Sequence, residues 1–167
     1  ALTAVIAGCV ATAAVAQTID YPDFSDPADL LLVGDAAVVG DRLRLARAAN
    51  NQTGGVWYAS KQNVADAWET NFIFQGSDIG GGNGSDGSAF VVQNSSQDAL
   101  GGGGGALGYN GIPNSLAVEF DTYNNGEPSG NHVSVHSRGT EPNSTAHIYS
   151  LGHSSDIPNF QDGAPDV

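Results

Sequence analysis

Beyond residue 16, no part of this chain sustains a helical period. Short apolar or alternating runs recur instead, each closed by glycine, asparagine or aspartate. Leu30 to Val33 runs into Gly34-Asp35, Arg42 to Leu45 alternates, and Val56 to Tyr58 follows Gly54-Gly55. Trp68, Thr70, Phe72 and Phe74 alternate across what reads as a longer strand. Gly87 to Gln93, Ser115 to Tyr123, His132 to Ser137 and Ala146 to Leu151 complete the series, and Ala46 to Asn50 is the one ambiguous patch. A period of two marks a strand with one buried face. Several such strands with frequent turns predict an all-β sandwich of antiparallel sheets. At 167 residues, the chain is long enough for one domain with a real core, burying about 70% of its unfolded surface.

The start of the chain differs from the rest. Residues 1–16 are apolar and uncharged, and they end in Ala14-Val15-Ala16 with Gln17 next. This pattern predicts the apolar region and cleavage site of a secretory signal, so 1–16 is expected to be a signal peptide remnant and 17–167 the domain. The expected location is secreted, extracellular or at the cell surface. The run is short for a membrane span. Ile6-Ala7-Gly8-Cys9 also resembles a bacterial lipobox, which makes lipoprotein anchoring at Cys9 an alternative; the apolar residues after it argue against that. Cleavage after Ala16 would leave no cysteine and so no disulfide. The chain closes on the turn-like Asp162-Gly163-Ala164-Pro165-Asp166-Val167. The expectation is a fragment that lacks the late strands of its sandwich.

The net charge of -13, from 5 Lys and Arg against 18 Asp and Glu, disfavours nucleic acid and anionic membrane surfaces as partners. Chemistry concentrates between Ser115 and His132. Glu119, Asp121, Tyr123 and Asn125 fall at every second position and would share one face of an extended strand. Two carboxylates, an amide oxygen and a nearby imidazole, that of His132, suit a hard metal ion with one nitrogen ligand beside it. Asp121 to Gly126 begins like an EF-hand loop, but the twelfth position is His132 rather than Glu and no helices flank it. Gly81 to Ala89 nearly fits a calcium nonapeptide, yet it occurs once, and a single unit cannot stack. Glu119-x-Asp121 is similar to the E-x-D-x-E strand of laminarinase-type glycosidases, but Tyr123 stands where the third acid belongs. His136, His147 and His153 have no acidic partner at useful spacing and are expected at the surface or an edge. The glycine tracts at 80–84 and 101–105 each abut a strand-like run. They are expected as loops at one edge of the sandwich, where glycine permits close backbone approach to a ligand.

Four blocks, in order, resemble the legume-type (L-type, concanavalin A-like) lectins, as in a bacterial secreted member. They are Gly34-Asp35-Ala36 with Leu43-Arg44-Leu45, Ser85-Asp86-Gly87-Ser88-Ala89-Phe90, Gly104-Gly105-Ala106-Leu107-Gly108, and Ala117-Val118-Glu119-Phe120-Asp121-Thr122-Tyr123-Asn124-Asn125. The last is the family's metal strand almost letter for letter, and the resemblance spans about residues 20–167. It implies a jelly-roll sandwich and a non-enzymatic domain that binds glycans with the help of calcium and, less firmly, manganese.

The resemblance also implies residue roles. Asp121 would bridge two cations about 4 Å apart. Calcium would take Asp121, the Tyr123 carbonyl, the Asn125 side chain and an acid from the next loop; manganese would take Glu119, Asp121, that acid and His132. The family usually places Asp before Pro here, whereas this chain has Glu127-Pro128. Whether Glu127 bridges both ions, holds one or yields to water stays open. In the sugar site, Asp86 would accept bonds from two hydroxyls and Asn125 would donate one. A backbone N–H at Gly104 or Gly105 would complete the fork, and the Tyr123 ring would stack on the sugar's apolar face. The peptide bond before Asp86 is expected to be cis, and sugar binding to depend on metal. The alternatives are a glycoside hydrolase on the same sandwich and a structural or adhesion domain that has lost its metals.

Overall fold

The computed structural model describes residues 18–65, 67–77 and 84–163; the expected signal segment, Cys9 and most of the first glycine tract lie outside the described residues. Among the described residues eight strands follow in order: β1 Leu30–Gly34, β2 Ala37–Val39, β3 Arg42–Arg44, β4 Gly54–Tyr58, β5 Gly87–Gln93, β6 Ser115–Asp121, β7 His132–Ser137 and β8 Ser150–Ser154. Two 3-10 turns, Gly104–Ala106 and His147–Tyr149, interrupt them, and no α-helix occurs among the described residues. Strands β1 and β4 pair, β2 and β3 pair, and β5-β6-β7-β8 form a four-stranded sheet. All pairings are antiparallel, as expected for the all-β class.

The four-stranded sheet positions the chemistry. Alternation along β6 buries Ser115, Ala117, Glu119 and Asp121, and along β7 it buries His132, Ser134 and His136. The register sets Glu119 opposite Ser134 and Asp121 opposite His132, so these polar groups share one face. Leu107, Tyr109 and Ile112 fold over that face against Ala117, with Trp57, Ala89, Val91 and Ala99 packed around them. The other face carries aromatics: Phe74 lies 4.9 Å from Phe120 and Phe72 5.5 Å from Phe90, centroid to centroid, with Phe160 closing on both Phe74 and Phe120.

Three local expectations are corrected, and one strand was missed. Trp68 to Phe74 forms no strand; Phe74 alone makes a ladder bridge. Its alternation serves ring packing, since Trp68 and Phe72 lie against Phe90 and Phe74 against Phe120. Strand β2 was not foreseen, because three residues between turns are too few to show a period. The last strand starts at Ser150 rather than Ala146, after the 3-10 turn. Strand β6 ends at Asp121 rather than Tyr123. There Asp121 Oδ1 accepts the N–H of Tyr123 at 2.7 Å, a side-chain turn that competes with further ladder pairing. Tyr123 and Asn125 therefore lie in an exposed loop instead of continuing the strand face.

Candidate metal centre and ligand cleft

Glu119, Asp121 and His132 each offer one ligand atom, all within 4.8 Å of one another, and all three side chains are buried. Strand alternation supplies the two acids, and the β6–β7 pairing brings the imidazole to them. His132 Nδ1 lies 2.9 Å from the Ser129 carbonyl oxygen. A carbonyl only accepts, so Nδ1 carries a proton and Nε2 is the ring nitrogen turned toward the acids. Nε2 faces Glu119 Oε1 at 3.3 Å. A cation bound there would use both atoms as ligands. A ring N–H held by a backbone carbonyl is also what usually orients a metal-ligating histidine. The donor set of two carboxylates and one imidazole therefore fits a divalent ion.

The two carboxylates differ electrostatically. Burial pushes Asp121 up to about 6; the Tyr123 N–H and His132 oppose that, and Glu127 and Glu119 add repulsion. Glu119 is driven up by burial too. Hydrogen bonds from His136 and Tyr109 and the charges of His136 and His132 outweigh it and hold the carboxyl below its ordinary range. Glu119 is thus an ionised acid with both oxygens engaged. Tyr109 Oη donates to Oε2 at 2.6 Å, and His136 Nε2 stands 3.0 Å from Oε1. Burial and the Glu119 contact raise the Tyr109 phenol, which stays protonated as a donor.

His136 is a correction. It was expected at the surface or an edge, yet it is fully buried. The acid it meets lies across a strand pair, where linear spacing does not reveal it. Alternation of His132, Ser134 and His136 beside the Glu119 strand was the available signal. Tyr109 was also missed; it follows Leu107-Gly108 at the end of the glycine loop. His153 is exposed on the edge strand β8, as expected, and its ring meets that of His147 at 4.7 Å.

A second set of residues gathers beside these acids. The Ser85–Asp86 peptide bond is cis. Thr122 ties this turn to the end of β6, its N–H on the Asp86 carbonyl at 2.8 Å and its Oγ1 on the Gly84 carbonyl at 2.9 Å. Asn125 Nδ2 donates to Asp86 Oδ1 at 3.3 Å, across 39 positions of sequence. The glycine loop closes on this pair. Gly104 has φ +63°, and a Cβ there would sit 3.5 Å from Asp86 Oδ2; at Gly105 a Cβ would sit 2.7 Å from Asn125 Nδ2. A side chain at 105 would push the Asn125 amide from this place. Among the described residues, neither Gly104 nor Gly105 donates its N–H to a backbone carbonyl.

Thus Asp86, Gly104, Gly105 and Asn125 come together, and Glu119, Asp121 and His132 come together. Tyr123 stands between the two groups in sequence with its ring 48% exposed. Glu127 is placed differently from a ligand in the buried trio. Its Oε2 accepts the Asn125 N–H at 2.6 Å, and its charge still reaches Asp121.

The site thus sits on an antiparallel all-β fold with a buried Glu/Asp/His group that could hold a metal ion. The family model of the legume lectin domain matches residues 16–159, and the chain belongs to that family, with its jelly-roll sandwich.

Proposed function

We propose that this chain is a calcium-dependent, non-enzymatic carbohydrate-binding domain. Membership of the legume lectin family supports carbohydrate as the ligand class. The observation that carries the reading is the Asp86–Asn125 contact, set against Gly104 and Gly105. Asp86 offers carboxylate oxygens to vicinal hydroxyls, and the Gly104 or Gly105 N–H donates to a neighbouring one. Asn125 donates through Nδ2 and keeps Oδ1 for a cation. The exposed Tyr123 ring supplies an apolar plate for a pyranose face.

Calcium would be held by Asp121, the Tyr123 carbonyl and Asn125, with Glu127, which accepts the Asn125 N–H, as a further carboxylate. A transition ion such as manganese would be held by Glu119, Asp121 and His132. Bound there, the cations would supply the positive charge that desolvated Asp121 lacks. Asp121 holds the Tyr123 N–H and Glu127 holds the Asn125 N–H. Fixing the acids therefore fixes the loop that carries the sugar contacts.

A glycosidase reading is disfavoured by burial. Glu119 and Asp121 are 1% and 2% exposed, too enclosed to touch a glycosidic bond, and Tyr123 is no acid. No helix of the described residues is long and apolar enough to cross a membrane. We read residues 1–16 as an export signal, which places the domain outside the cell. The test is a glycan array on the protein with calcium, after EDTA, and after calcium is restored. Binding that vanishes and returns supports the reading; a folded protein with no binding in any state overturns it.

A further inference from the structure

The glycine loop is a hydrogen-bonded unit that runs into the core at one residue. Gly101 N–H bonds the Gly108 carbonyl at 2.7 Å, Gly108 N–H returns to Gly102 at 2.9 Å, and Leu107 N–H closes on Gly104 at 2.9 Å. Tyr109 N–H then bonds the Ala106 carbonyl at 3.2 Å, and its own carbonyl receives Ile112 N–H at 3.0 Å. Its ring is fully buried with Leu107 and Ile112. Its hydroxyl leaves the loop and lands on Glu119 Oε2 at 2.6 Å. Glu119 in turn belongs to the buried Glu119/Asp121/His132 group.

We infer that Tyr109 is a positioning residue that couples the metal centre to the glycine loop, through its hydrogen bond to Glu119. The inference rests on the proposed metal-supported reading and extends it. Tyr109 holds Oε2 of Glu119, while Oε1 meets His136 at 3.0 Å and His132 at 3.3 Å, so the carboxylate is held between the glycine loop and β7. An event that fixes Glu119 fixes the acceptor of Tyr109 and hence the loop that carries Gly104 and Gly105. This link is separate from the one through Asp121, Tyr123 and Asn125, which acts on the loop after β6. Coupling of this kind is reciprocal: occupancy of the cleft at the loop tightens metal binding by the same factor that metal tightens the cleft.

The test is amide hydrogen exchange across residues 101–108, with and without saturating manganese and calcium, in the intact chain and in Tyr109→Phe. The phenyl ring keeps the packing and removes only the donor. In the unaltered chain, metal is expected to slow exchange in this loop by about tenfold. In Tyr109→Phe, metal still binds but the slowing is lost. A purely structural role would change protection equally with and without metal. Metal-dependent slowing that survives in Tyr109→Phe overturns the inference, and so does an unaltered chain whose loop ignores metal that it binds. A chain that takes up no metal overturns both this inference and the metal part of the proposed function. Coupling without any glycan binding leaves the inference standing and overturns the ligand class. If Tyr109→Phe does not fold, the readout moves to fluorotyrosine at Tyr109 in a chain carrying Tyr21→Phe, Tyr58→Phe, Tyr123→Phe and Tyr149→Phe. A resonance that shifts with metal supports the coupling, and one that does not move overturns it.

Discussion

Asn125 reaches back across 39 positions of sequence to place its amide nitrogen 3.3 Å from the carboxylate of Asp86. Neither residue is on a strand: Asp86 immediately precedes β5 and Asn125 lies beyond the end of β6. The pairing of β5 with β6, Gly87 opposite Asp121, brings both loops to one end of the sheet.

Removing either partner is expected to weaken glycan binding with little effect on folding. Both side chains lie outside the buried core, and substitutions at such positions shift stability by about 0.5 kcal/mol or less. Asp86→Ala and Asn125→Ala should each weaken binding of the best array glycan at least about tenfold, one lost polar contact being about 1.4 kcal/mol or more. Titration calorimetry with a matched melting curve checks this; unchanged affinity in both variants would remove the cleft from consideration.

Gly105→Ala tests the closeness of the loop. The added methyl would fall 2.7 Å from Asn125 Nδ2, so the amide must move off Asp86. Glycan affinity should drop about tenfold, comparable to losing that hydrogen bond. Gly111→Ala, where a Cβ meets nothing within 4 Å but φ is +99°, should cost stability without changing affinity. Equal affinity loss in both variants would point to a general loop effect.

Asp121 should make the benefit of calcium depend on pH. In the metal-free protein its carboxyl is raised from 3.8 to about 6, so the folded state holds the proton more tightly than the unfolded chain. That contribution is present in full below 3.8 and is lost as pH rises to about 6, a difference of about 3 kcal/mol. Calcium requires the ionised acid and therefore loses about tenfold in affinity per pH unit below the folded value. The gain in melting temperature on adding calcium to dialysed protein should be clear near pH 7 and small near pH 5. A gain of equal size at both would contradict Asp121 as a ligand.

Glu119→Gln should destabilise the protein even without metal. The carboxylate receives Tyr109 and His136 in a fully buried setting, and an amide cannot accept both with two oxygens. A buried group left short of a partner costs about 1–3 kcal/mol. Denaturant melts of the metal-free proteins measure this directly; a variant as stable as the original would show that the cluster contributes nothing to folding.

Much of the fold was legible because alternation in β6 and β7 is written in residue types that can lie only one way in a sheet. Ser115, Ala117, Glu119 and Asp121 share a face whatever partners they find. Asp86, Gly104, Gly105 and Asn125 were legible through block order alone; no local pattern says that they meet. His136 and Tyr109 escaped because their partner Glu119 reaches them across strand pairing and loop closure. Trp68 to Phe74 misled in the opposite direction: its period of two is real, but it arises from rings lying on Phe90 and Phe120, with no ladder of backbone bonds.

The core around the glycine loop has a spectroscopic consequence. The chain has two tryptophans, and they lie in opposite environments. The Trp57 indole N–H donates to the Ala99 carbonyl at 2.8 Å, at the root of the glycine loop, whereas Trp68 is 50% exposed on the aromatic face. An added quencher will silence Trp68 first, and the remaining fluorescence, from Trp57, becomes a built-in reporter of the loop, readable without any label.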